Sequence, residues 1–97
     1  MKGSIFCATS ARLKKYNSTI QQFVLENDWN PITSEHASSD VVNELVEKCD
    51  ELWVFGEVDV SVKQQMLQAR QRGKPVKFFE IEQRFGKPFF SESKQWR

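Results

Sequence analysis

Residues 51–81 read "ELWVFGEVDVSVKQQMLQARQRGKPVKFFEI", and this stretch decides the fold. "ELWVFG" (51–56) is a continuous apolar run bounded by charge and glycine. Such a run suits a strand buried on both faces, which is the habit of parallel sheets. A helix is expected next, from Ser61 to Arg72. "SVKQ" (61–64) has the form of a capping box, with Ser61 as the cap and Gln64 reaching back to its amide. Gly73 stands where helices commonly end. "PVKFFEI" (75–81) then reads as a further strand.

The same alternation extends upstream. "GSIFCATS" (3–10) predicts a buried strand over Ser4–Ala8. The following segment has apolar residues at 13, 16, 20, 23 and 24, one stripe of a helix, with Ser10 as its cap. "DWNPIT" (28–33) carries turn chemistry and predicts a short strand near Pro31–Thr33. Val42, Leu45, Val46 and Cys49 have helical spacing, with Ser39 or Asp40 able to cap. The order β-α-β-α-β-α-β implies an α/β fold, a small Rossmann-like or flavodoxin-like three-layer sandwich. Its sheet is expected to have about four parallel strands in the order 2-1-3-4. Residues 1–83 are expected to form this single domain. Residues 84–97 form a basic and aromatic tail without a clear period, and a homo-oligomer through this tail is expected.

Bulk properties narrow the function classes. The chain has 97 residues, enough for one modest core without staples. Its 39% hydrophobic and 28% charged residues are those of a globular protein rather than a disordered one. A net charge of +1 gives no footprint for nonspecific DNA or membrane binding. "MKGSIFCATSARLKKY" (1–16) reads as neither a signal peptide nor a span, so a cytoplasmic location is expected. Cys7 and Cys49 lie in separate apolar segments without metal-ligand spacing, so they read as buried thiols and no metal is expected.

Ligands of doubly wound sheets bind beyond the carboxyl ends of the strands, where the winding reverses. That point lies between strands 1 and 3, so loops 8–12 and 56–61 become the candidate site. Glu57 and Asp59 precede a helix, whose dipole favours carboxylates. They have the chemistry to accept from sugar hydroxyls or a base amino group; the alternative is a loop cap and a solvated carboxylate. Thr9 and Ser10 open a helix followed by Arg12, Lys14 and Lys15, an arrangement that suits an anion. It is more commonly that of a capped helix with a solvated basic face. His36 is the one histidine and reads as a surface or loop-packing residue. Trp53 and Phe55 share a strand face, either as core or as one wall under a base.

"CDELWVFGEVDVSVKQQMLQARQRGKPVKFF" (49–79) resembles the nucleoside 2-deoxyribosyltransferase-like superfamily, and especially its small uncharacterised branch. The likeness covers about a third of the chain. In that family an aspartate precedes a glycine-containing turn, and a glutamate follows in the first turn of the helix. The glutamate attacks the anomeric carbon, and the aspartate contacts the base. Asp59 matches the aspartate and Gln65 stands in the glutamate's place, while Ser61 and Lys63 replace the glycines. A further family acid has no register here; Asp40 and Glu44 are both near. A glutamine is neutral and a poor nucleophile, and losing such a group costs about 10⁴ or more in rate. Its amide still donates and accepts hydrogen bonds.

The resemblance therefore implies a nucleoside- or nucleotide-type ligand held without covalent catalysis and without a cofactor. Thr9, Ser10, Arg12, Glu57, Asp59, Ser61, Lys63 and Gln65 are the expected ligand-binding residues. Two alternatives stand beside it: a protein-interaction module with a degenerate site, and an N-glycosidic hydrolase or transferase that uses Glu57.

Overall fold

The computed structural model describes residues 3–33 and 39–93. His36 and the tail residues beyond Ser93 lie outside them, while Ser39 and Asp40, the expected caps of the second helix, are its first two residues. The strands are β1 (Ser4–Thr9), β2 (Asn30–Ile32), β3 (Glu51–Phe55), β4 (Val76–Arg84) and β5 (Lys87–Ser93). The helices are α1 (Asn17–Glu26), α2 (Ser39–Lys48) and α3 (Val60–Gln71), with a 3-10 segment over Ala11–Tyr16. The sheet order is β2-β1-β3-β4-β5. The first four strands run parallel, as expected from the alternation. β4 and β5 form an antiparallel hairpin, a fifth strand that the sequence reading did not foresee. Among the described residues no helix is long and apolar enough to cross a membrane.

Period-two alternation sorts the core into two layers. Phe6, Ala8, Leu52 and Val54 pack with Val46 of α2 and with Val62, Met66 and Ala69 of α3. Ile5, Cys7, Trp53, Phe55 and Phe79 pack with Ile20 and Val24 of α1. Trp53 and Phe55 are core residues: Phe55 stacks on Phe79 at 5.1 Å and meets Phe23 edge-on at 6.1 Å. Both thiols are buried. Burial pushes the Cys7 thiol up to about 12, and it raises Cys49 as well.

Two expected helix starts are corrected. α3 is capped by Asp59, whose Oδ1 accepts from Val62 N at 2.9 Å; Ser61 lies inside the helix and is exposed. Asp outcompetes a serine two positions on because its carboxylate also favours the positive helix end. The first helix is divided: residues 11–16 are 3-10 and α begins at Asn17. Ser10 has the extended backbone of a cap but makes no side-chain capping bond. Its hydroxyl is used elsewhere.

The far end of α3 matches its sequence signal. Gly73 has φ 71°, its N–H donates to Arg70 O at 3.0 Å, and Lys74 N donates to Ala69 O at 2.9 Å. This is a Schellman ending. Lys74 then serves α2, donating from Nζ to Glu47 O at 2.7 Å and to Cys49 O. A cation on the last carbonyls of a helix satisfies groups that have no intrahelical partner.

Candidate functional site

β1 and β3 are adjacent, with Thr9 opposite Phe55, so their two following loops meet at the reversal of winding. Gly56 makes the meeting close. It has φ 79°, its N–H donates to Phe79 O at 2.9 Å, and a Cβ built there would sit 2.4 Å from Leu13 Cδ1. The positive φ favours glycine, and any Cβ would also have to displace the tip of the Leu13 side chain.

Glu57 follows. Its Oε1 accepts from Ser10 Oγ at 3.0 Å and stands 3.5 Å from Arg12 Nε. Ser10 is 1% exposed, whereas the Arg12 side chain is 80% exposed. The serine bond therefore fixes the carboxylate, and the arginine pair is a solvated contact of small energetic weight. Asp59 spans the two loops: Oδ1 caps α3, and Oδ2 accepts from Ala11 N at 3.2 Å.

The anion position that the sequence suggested at the start of the 3-10 segment is thus occupied from within. Two carboxylates of the β3–α3 loop take up the Ser10 hydroxyl and the Ala11 N–H. What remains free to receive a ligand there is acceptor capacity, chiefly the second oxygen of Glu57.

Gln65 lies on the inward stripe of α3 with Val62, Met66 and Ala69, and is 7% exposed. Its Oε1 is buried with no hydrogen-bond partner. Thr9, 3% exposed at the end of β1, holds Oγ1 in the same condition. An acceptor buried this way costs about 1–3 kcal/mol. Ser61 and Lys63 are exposed on the first turn of α3, and Lys63 donates its backbone N–H to Asp59 O at 2.9 Å.

Thr9, Ser10, Arg12, Glu57 and Asp59 thus belong to one junction, and Gln65 sits one turn further along α3. Asn17 was not among the expected residues. It is 5% exposed at the start of α1 and its buried Nδ2 has no partner. A polar residue between Tyr16 and Ile20 on an apolar stripe was the available signal. Gln83 Nε2 donates to Tyr16 OH at 2.6 Å and ties the β4–β5 hairpin to the 3-10 segment. Among the described residues no cluster of three or more His, Cys, Asp or Glu is placed to hold a metal.

The chain matches no family model, and neither the curated proteins nor the solved structures yield a match.

Proposed function

We propose that this protein binds a nucleoside-type ligand, without covalent catalysis, at the carboxyl ends of β1 and β3. The observation that carries this reading is Gln65: a nearly buried amide whose Oε1 has no partner, at the position where the resembling family keeps a nucleophilic glutamate. Apolar substitutes would pack there at lower cost, so an orphan acceptor is explained by a donor that arrives with a ligand.

The junction also selects the ligand's polarity. Glu57 and Asp59 already supply negative charge at Ser10 and Ala11. A hydroxyl or an amino group is therefore a better guest than a phosphate, and a nucleoside should bind at least as well as its 5′-monophosphate.

Calorimetry and thermal shift with purine and pyrimidine nucleosides and their monophosphates test the proposal. Nucleoside binding is expected, weakened at least about tenfold by Glu57→Gln through loss of a charge-assisted bond. Absence of both heat and stabilisation across the panel overturns it. Release of free base by the pure protein would overturn its non-covalent character and favour chemistry at Glu57.

A further inference from the structure

The sheet ends unequally at its two edges. β2 is three residues long and contains Pro31; β5 is seven residues long. Among the described residues, β5 has no strand on its outer side. Beside it, α1 and β5 enclose a groove of about 320 Å³, lined by Thr19, Gln22, Phe23, Pro88, Phe89 and Phe90 among others. Phe23 and Phe90 stand 5.0 Å apart on its floor, and Phe89 is 49% exposed.

The register tells which backbone groups face outward. The turn is Phe85–Gly86, both with positive φ (52° and 74°), the geometry of a two-residue type I′ hairpin. Arg84–Lys87 is then a hydrogen-bonded pair, and so are Glu82–Phe89, Glu80–Ser91 and Phe78–Ser93. Pro88, Phe90 and Glu92 alternate with them and direct their backbone groups away from β4. Pro88 carries no N–H, so the outward donors are those of Phe90 and Glu92. Proline at an outward position is where sheets tolerate it.

We propose that this edge pairs with β5 of a second copy of the chain, antiparallel, about a twofold axis at Phe90. This is a different surface from the ligand site and does not depend on it. The argument is self-complementarity. With Phe90 opposite Phe90 of the second copy, the two phenylalanines exchange two bonds. Each Glu92 N–H meets the carbonyl of Pro88 opposite; proline returns no donor, so the Glu92 carbonyl is left to water and the pairing makes four bonds. Lys87 faces Ser93 and Phe89 faces Ser91, so no like charges are opposed.

Other registers do worse. An axis at Pro88 opposes two residues without donors. An axis at Glu92 opposes two carboxylates. An axis at Ser91 makes as many bonds but sets each Phe90 against a Glu92 carboxylate. The Phe90 axis merges the two apolar grooves, with Phe23 and Phe90 of both copies along one seam.

Sedimentation velocity from low micromolar to several hundred micromolar is the test. A dimer is expected. Glu92→Pro deletes an outward N–H that makes no bond among the described residues, so far-UV dichroism should be unchanged while dimer affinity falls at least about tenfold. The register is read by mixing Pro88→Cys with Glu92→Cys proteins under oxidation: the mixed disulfide should form far faster than either self-disulfide. A monomer at every concentration overturns the proposal and leaves the edge to a strand of another protein. A dimer indifferent to Glu92→Pro, or one in which the Glu92→Cys variant crosslinks to itself, overturns it as well.

Discussion

Asp59 joins two loops 48 positions apart by accepting from Ala11 N at 3.2 Å while it caps α3 through Val62 N at 2.9 Å. One side chain thus sets the spacing of the two loops. Asp59→Ala should destabilise the fold by about 1–2 kcal/mol, the usual cost of losing a cap. Asp59→Asn keeps the oxygen that caps α3 but turns an NH2 towards Ala11 N–H, so it should cost less than Asp59→Ala without being neutral. Urea denaturation of the three proteins measures the order; equal losses for Ala and Asn would show that the cap is not what Asp59 provides.

Gly56→Ala should cost about 1–3 kcal/mol. Its φ of 79° disfavours any side chain, and the new methyl would meet Leu13 Cδ1. Leu13→Ala introduced with it should recover only the steric share, leaving the backbone share. The thermal midpoints of single and double variants separate the two.

Gln65→Met removes the orphan acceptor at similar length. The free protein should gain up to about 1 kcal/mol, because a buried group without a partner disappears. Nucleoside affinity should fall at the same time. A stabilised variant with undiminished affinity would remove Gln65 from the site.

Gln65→Glu places a carboxyl where Gln65 is 7% exposed. Burial raises a carboxyl above its ordinary value of about 4.3, so the folded state holds the proton longer than the unfolded chain. Stability of this variant relative to the parent should therefore be greatest below about pH 4 and decline as the pH rises through neutrality. A difference independent of pH would mean that the carboxyl reaches water.

The thiols give an alkaline counterpart. Cys7 is pushed up from 9.0 to about 12, and Cys49 is raised as well. Each stays protonated in the fold after it would ionise in the unfolded chain. Stability from this source is whole below pH 9.0 and falls as pH climbs towards the folded value, by up to about 1.4 kcal/mol per unit per thiol. Alkaline denaturation of the native chain against Cys7→Ala resolves the share of Cys7. Neither thiol should react with an aromatic disulfide reagent at about pH 8 until denaturant is added.

The sheet was legible in the sequence because three of its four parallel strands are apolar runs with their own punctuation: Ile5–Ala8, Leu52–Phe55 and the stretch after Gly73; β2 was marked only by the turn chemistry around Pro31. The hairpin was not. Its turn places Phe85 at φ 52°, where asparagine or glycine ordinarily announces the geometry. Gly86 and the alternation of Pro88 with Phe90 were the remaining signals. The helix starts failed for a different reason. Asp59 and Ser10 each have two uses for one oxygen-bearing side chain, and only the approach of the opposite loop decides between them. At the site, sequence indicated which residues gather at the switch point. It did not indicate that Glu57 and Asp59 would occupy the suggested anion position.

The placement of β1 also has a bearing on how the chain is made. β1 is flanked by β2 and β3, and Ser4 N donates to Asp50 Oδ2 at 2.7 Å, 46 positions ahead. β1 thus cannot acquire its central neighbour until β3, more than 40 residues further on, has been synthesised. The β4–β5 hairpin needs only its own residues. Loop closure over such distances slows folding, and local pairing is fast. Ile5–Ala8 therefore wait longer for their partner strand than the β4–β5 hairpin does, and a nascent-chain holdase would find its natural target there rather than in that hairpin.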